Sequence, residues 1–79
     1  MQTATFTLEA EYIEVNQLLK LVGVCDSGGA GKLLVAEGHV TVDGQPEHRK
    51  TAKIRAGQIV VCDGLQIAVV ADTVGEGLG

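Results

Sequence analysis

The chain has 79 residues, a formal net charge of −4 and a hydrophobic content of 46%. Such a length holds one domain, whose folding buries only about 60% of the unfolded surface, and the apolar content excludes a disordered chain. No apolar run reaches the ~20 residues that cross a bilayer, and Met1 to Thr5 lack the basic-then-apolar pattern of a secretion signal, so a cytoplasmic protein is expected.

Thr5-Phe6-Thr7-Leu8 alternates polar and apolar residues, the pattern of a short strand. Val15, Leu18, Leu19 and Val22 then fall at i, i+3, i+4 and i+7 and make one apolar helix face. Asn16, Gln17 and Lys20 take the other face, Leu21 falls off the stripe, and Gly23 is a natural stop. A second helix runs from its N-cap Ser27 to a C′ glycine, Gly38. Its core stripe reads as Ala30, Leu33 and Leu34, flanked by Val35 and Ala36. Only Val24 to Ser27 join the two helices, which implies a helix-turn-helix arrangement.

Beyond Gly38 the period becomes two. His39-Val40-Thr41-Val42 reads as a strand and Asp43-Gly44 as a tight turn. Gln45 to Lys53 is polar and basic, and Pro46 argues against a central strand there. Gly57 marks another turn. Gln58 to Cys62 and Leu65 to Val70 flank Asp63-Gly64, the strongest hairpin signal in the chain. Asp72 to Gly79, with three glycines and two acids, reads as a flexible tail. Strands in runs after helices predict an α+β fold. The expected architecture is two packed helices with a small, mostly antiparallel sheet over residues 1–71.

All six basic residues, Lys20, Lys32, Arg49, Lys50, Lys53 and Arg55, share one window with four acids, Asp26, Glu37, Asp43 and Glu47. The six other acids lie outside it, so a middle near +2 sits between acidic ends. A partner feels the local field over about 8–10 Å, so an anion can dock on the middle of an acidic protein. His48-Arg49-Lys50 and Lys53-Ile54-Arg55 place four permanent cations on or beside a loop. Arginine grips phosphate through two bonds and lysine acts as a point charge; an ordinary solvated surface is the plain alternative. Phe6 and Tyr12 are the only rings. Single-strand binders stack bases on rings, so an RNA partner should be read by backbone and shape.

Ser27-Gly28-Gly29-Ala30-Gly31-Lys32 is unusual for a helix start, because each internal glycine costs about 0.8–1 kcal/mol relative to alanine. Two explanations stand level. An anion could approach the free N–H groups and positive dipole end, with Lys32 completing the site. Alternatively, the glycines let the second helix pack tightly on the first. Gly31-Lys32 imitates the end of a nucleotide-binding P-loop. Asp26 replaces its first glycine and Leu33 replaces its Mg²⁺-ligating Ser or Thr, which argues against nucleotide hydrolysis.

Cys25 and Cys62 have no metal-ligand spacing with each other or with His39 and His48, so reduced thiols and no metal site are expected. Ser27 has no partnered histidine, and neither His39 nor His48 has an obvious orienting acid. Glu9, Glu11 and Glu14 read as a solvated acidic run. No enzyme signature is present, and neither catalytic residues nor cofactors are expected.

The order of these parts resembles a known family. Leu18-Leu19-Lys20, Ser27-Gly28-Gly29-x-x-Lys32, Glu37-Gly38-x-Val40-x-Val42-Asp43-Gly44, Glu47-x-Arg49-Lys50-x-x-Lys53-Ile54 and Gly57 look like the ribosomal S-four-type RNA-binding domain, or αL motif, in its short stand-alone YbcJ-like form. The resemblance implies two helices forming an L beside a small sheet, and binding of structured RNA, ribosomal or transfer RNA. It implies RNA contacts from Lys20, from Ser27, Gly28, Gly29 and Lys32, and from Arg49, Lys50 and Lys53. No DNA or membrane partner is expected. Departures exist: the family often has alanine at the position of Gly31, asparagine at that of Asp43, and paired arginines where Arg49-Lys50 stands. One rival reading is a protein-interaction or ribosome-associated accessory module without direct RNA contact; a second is an accessory module for an RNA-modifying protein.

Overall fold

A computed structural model describes residues 1–72. The expected tail falls on residues 73–79, outside the described residues, except for Asp72, whose N–H donates to the Leu8 carbonyl at 3.1 Å. In chain order the elements are β1 (Gln2–Leu8), β2 (Ile13–Glu14), α1 (Val15–Leu21), α2 (Gly28–Ala36), β3 (Val40–Val42), β4 (Gln45–Pro46), β5 (Lys53–Ile54), β6 (Ile59–Cys62) and β7 (Leu65–Ala71).

Two Asp-Gly pairs turn the sheet. Asp43 and Gly44 have φ of 52° and 82°, and Asp63 and Gly64 have 48° and 83°. Two successive left-handed residues make the tight turn whose twist suits a hairpin. The first turn joins β3 to β4, a two-residue edge strand where Pro46 is tolerated; the second joins β6 to β7. The main sheet runs β1-β7-β6-β3-β4. Its pairs are antiparallel except β1 with β7, which are parallel from Gln2 beside Leu65 to Leu8 beside Ala71. β2 and β5 form a separate antiparallel pair.

Both helices end in the same motif. Gly23 N–H bonds to the Lys20 carbonyl and Val24 N–H to that of Leu19; Gly38 and His39 repeat this with Val35 and Leu34. The left-handed glycine at C′ makes these crossed bonds possible. Ser27 caps α2, its hydroxyl accepting from Ala30 N–H at 3.1 Å.

One cluster fills the core: Val15, Leu18 and Leu19 from α1, Val35 from α2, Ile54 from β5, and Leu8, Val40, Val60, Cys62, Ile67 and Val69 from the main sheet, with Ala52. Each fully buried aliphatic side chain stabilises by about 1.5–3 kcal/mol. Leu21 is exposed, as its place off the stripe implies.

Two expectations about faces need correction. Asn16, assigned to the outer face of α1, is only 1% exposed. Leu33, assigned to the core stripe of α2, is 62% exposed, while Gly31 and Val35 are buried. The cause is the glycine. Gly31 lies directly against the backbone of Asn16, so α2 meets α1 through its bare side and turns Leu33 to solvent.

Candidate nucleic-acid interface

The start of α1 gathers distant parts of the chain. Val15 N–H donates to the Ala52 carbonyl at 2.8 Å. Just before it, Glu14 pairs with Lys53 and Ile13 with Ile54. On its other side, Asn16 Nδ2 donates to the Gly28 carbonyl at 3.4 Å. The basic loop and the glycine-rich start of α2 are thus both held by residues 14–16.

The three glycines differ in what surrounds them. A Cβ on Gly28 would meet Gln17 Nε2 at 2.8 Å and Asn16 Nδ2 at 3.3 Å. Gly31 has no room at all beside Asn16. A Cβ on Gly29 would meet nothing nearer than Ser27 Oγ at 3.9 Å. Helix packing therefore accounts for Gly31 and in part for Gly28, and leaves Gly29, exposed in the first turn of α2, without a packing reason.

The remaining expected residues are all at the surface. Lys32 lies one turn along α2 from Gly28, and Lys20 in the last turn of α1, one turn from Asn16. Lys20 also suits the negative end of the α1 dipole. Arg49 and Lys53 share an open cleft of about 450 Å³ with Thr51 and Ala52. Lys50 is exposed in the same loop but does not line that cleft. Among the described residues, Lys20, Lys32 and Lys50 form no ion pair, so their charges are available to an outside anion.

Glu47 shapes the loop. Its Oε2 accepts from Arg49 N–H at 2.9 Å and lies 3.4 Å from Arg49 Nε. The Arg49 N–H, aided by the guanidinium and opposed by partial burial, holds the Glu47 carboxyl below its ordinary range. Because Arg49 is 81% exposed, the ion pair adds little stability; its effect is to fix the turn. Asp43 does not leave its charge loose beside the site. Its carboxylate accepts from Ile59 N–H at 2.9 Å and from Gln58 Nε2 at 3.4 Å.

Three features were missed in the sequence. Tyr12 lies under two cations, with Lys53 Nζ 4.9 Å and Arg55 Cζ 5.8 Å from its ring centroid. The two-residue strand that brings them together is hidden in what reads as an acidic run. Asn16 is buried with Oδ1 lacking a hydrogen-bond partner, a state that costs about 1–3 kcal/mol. Its polar character gave no hint of burial. His39 does have acids beside it, contrary to expectation: Asp63 Oδ1 is 3.4 Å from Nδ1 and Glu37 Oε1 is 3.8 Å from Nε2.

Among the described residues both cysteines are free thiols; Cys62 lies in the core and Cys25 is half-buried, its thiol donating to the Ser27 carbonyl at 3.3 Å. No cluster of three metal-ligating side chains occurs among those residues. None of their helices is long and apolar enough to cross a membrane.

A packed helix pair beside a small, mostly antiparallel sheet defines a small α+β module of the αL type. Residues 6–70 match the model of the S4 domain, and the chain belongs to that family. It is 48% identical over 69 residues to YbcJ of Escherichia coli (strain K12), provisionally named an RNA-binding protein, covering 86% of this chain and 99% of that one. RlbA of Bacillus subtilis (strain 168), provisionally named a ribosome maturation protein, is 34% identical over 58 residues, covering 73% of this chain and 82% of RlbA. The solution structure of E. coli YbcJ, described as having an αL motif involved in RNA binding, superposes with a TM-score of 0.69 at 46% identity, over 90% of this chain and 91% of that one.

Proposed function

We propose that this chain is a non-catalytic RNA-binding protein of the cytoplasm that recognises structured RNA, ribosomal or transfer RNA, through its basic surface. The observation that carries this reading is the double tether at the start of α1: Val15 to Ala52 on one side and Asn16 to Gly28 on the other. It supports a single surface made of Gly28, Gly29 and Lys32, of Lys20, and of Arg49, Lys50 and Lys53. Lys20, Lys32 and Lys50 neutralise phosphates as point charges, and Arg49 adds two-pronged contact once it turns from Glu47. Ser27 fixes the helix start, and Gly29 lets a phosphate reach the free N–H groups there. The names of YbcJ and RlbA agree with an RNA or ribosomal setting.

The test is a titration of folded transfer RNA and of a ribosomal RNA fragment with the natural chain and with Lys32→Glu. The variant is expected to keep its circular dichroism spectrum and to lose binding. Binding unaffected by Lys32→Glu would contradict the assignment. Failure of the natural chain to bind either RNA, with capture of a ribosomal protein that survives nuclease, would favour a protein-docking module.

A further inference from the structure

We infer that Tyr12, with Lys53 and Arg55 beside it, is a platform for one unpaired nucleobase, and that the cleft between Arg49 and Lys53 takes the adjoining phosphate. This rests on the RNA-binding reading and specifies the form of RNA: a stem carrying a bulged or looped-out nucleotide.

Phe6 is half-buried and packs against the core. Tyr12 is 38% exposed and stands outside that cluster, so the core does not require its ring. The ring instead lies among cations. Antiparallel pairing of β2 with β5 sets Ile13 beside Ile54 and Glu14 beside Lys53, which brings Tyr12 to the Lys53 and Arg55 side of β5. Flat aromatic faces and guanidinium planes are the two protein surfaces on which unstacked bases rest.

Lys53 joins the two halves of the site. Its ammonium lies 4.9 Å from the Tyr12 centroid, and the residue also lines the cleft of about 450 Å³ with Arg49, Thr51 and Ala52. The residues lining that cleft carry a guanidinium, an ammonium and a hydroxyl, all donors to phosphate oxygens. An exposed cation–π contact is weak, weaker than a charge-assisted bond to phosphate. A phosphate entering the cleft therefore draws Lys53 off the ring and uncovers a face for the neighbouring base. Arg55, 5.8 Å from the same centroid, stays to flank that base. The scarcity of aromatics argues against a run of stacked bases, but one ring suffices for one base.

The experiment uses the full chain and three fluorescent RNA hairpins with identical stems. One has a single bulged nucleotide, one is fully paired, and one has an abasic residue at the bulge. The bulged hairpin is expected to bind most tightly. Tyr12→Leu should weaken it by roughly five- to 150-fold without changing affinity for the paired hairpin, and Tyr12→Phe, which keeps the ring, should restore it. Equal affinity for all three hairpins, or a bulge preference that survives Tyr12→Leu, overturns the platform and leaves the RNA-binding reading standing. Binding to none of them overturns both.

Discussion

A methyl group on Gly31 would stand 2.6 Å from the carbonyl oxygen of Asn16. That oxygen belongs to a helix backbone and cannot swing aside, so any side chain at position 31 pushes α1 and α2 apart. Gly31→Val is therefore expected to destabilise the fold by about 1–3 kcal/mol. Gly31→Ala should cost less, because alanine returns about 0.8–1 kcal/mol of helix propensity while demanding a smaller displacement. Urea denaturation checks both, and an unchanged midpoint for Gly31→Val would contradict the packing account.

Gly29 should behave in the opposite way. A methyl there meets only Ser27 Oγ, at ordinary contact distance. Gly29→Ala is expected to raise stability by up to about 1 kcal/mol and, on the proposed reading, to weaken RNA binding by placing a methyl in the path of the phosphate. Denaturation and RNA titration on the same variant separate the two effects. A gain in stability with full RNA affinity would remove Gly29 from the interface.

Cys62 should be chemically silent. Burial, with smaller contributions from Asp63 and Cys25, pushes its thiol up to about 11. Near the ordinary thiol value of about 8.5 it stays protonated and shielded, so iodoacetamide is expected to label Cys25 well before Cys62. Because the folded value is raised, this neutral thiol favours folding fully below the ordinary value. The contribution falls away as pH climbs from there toward about 11. Equal labelling rates in the folded protein, read by peptide mass, would contradict this.

Glu47 sets the low-pH behaviour of the basic loop. Its lowered carboxyl contributes stability that is present above the unfolded value of about 4.3. That contribution is lost as pH falls through the lower folded value. The amide resonance of Arg49 is expected to titrate with a midpoint below that of an ordinary glutamate, and Glu47→Gln should abolish that step. A midpoint at or above the ordinary value would mean that the Glu47–Arg49 turn does not persist in solution.

The parts of this fold that were readable are those decided locally. Ser27, Gly38 and the two Asp-Gly turns act on their immediate neighbours, and each stands where its chemistry places it. The parallel pairing of β1 with β7 was not readable, because it joins the two ends of the described chain. The faces of the helices were misread where glycine intervened: periodicity counts side chains, and Gly31 makes its contact by having none. The cationic residues of the candidate site were visible as a charge cluster. Their relation to Tyr12 was not, since β2 is two residues long and carries no alternation to betray it.

The central claim is that RNA is held by phosphate neutralisation at cations gathered around the start of α1. Its most direct measurement is the affinity for a folded transfer RNA or ribosomal RNA fragment across a series of salt concentrations. With roughly three to five phosphates contacted, log K is expected to fall with log salt at a slope near −2 to −5. Binding that stays constant as salt rises would contradict the claim.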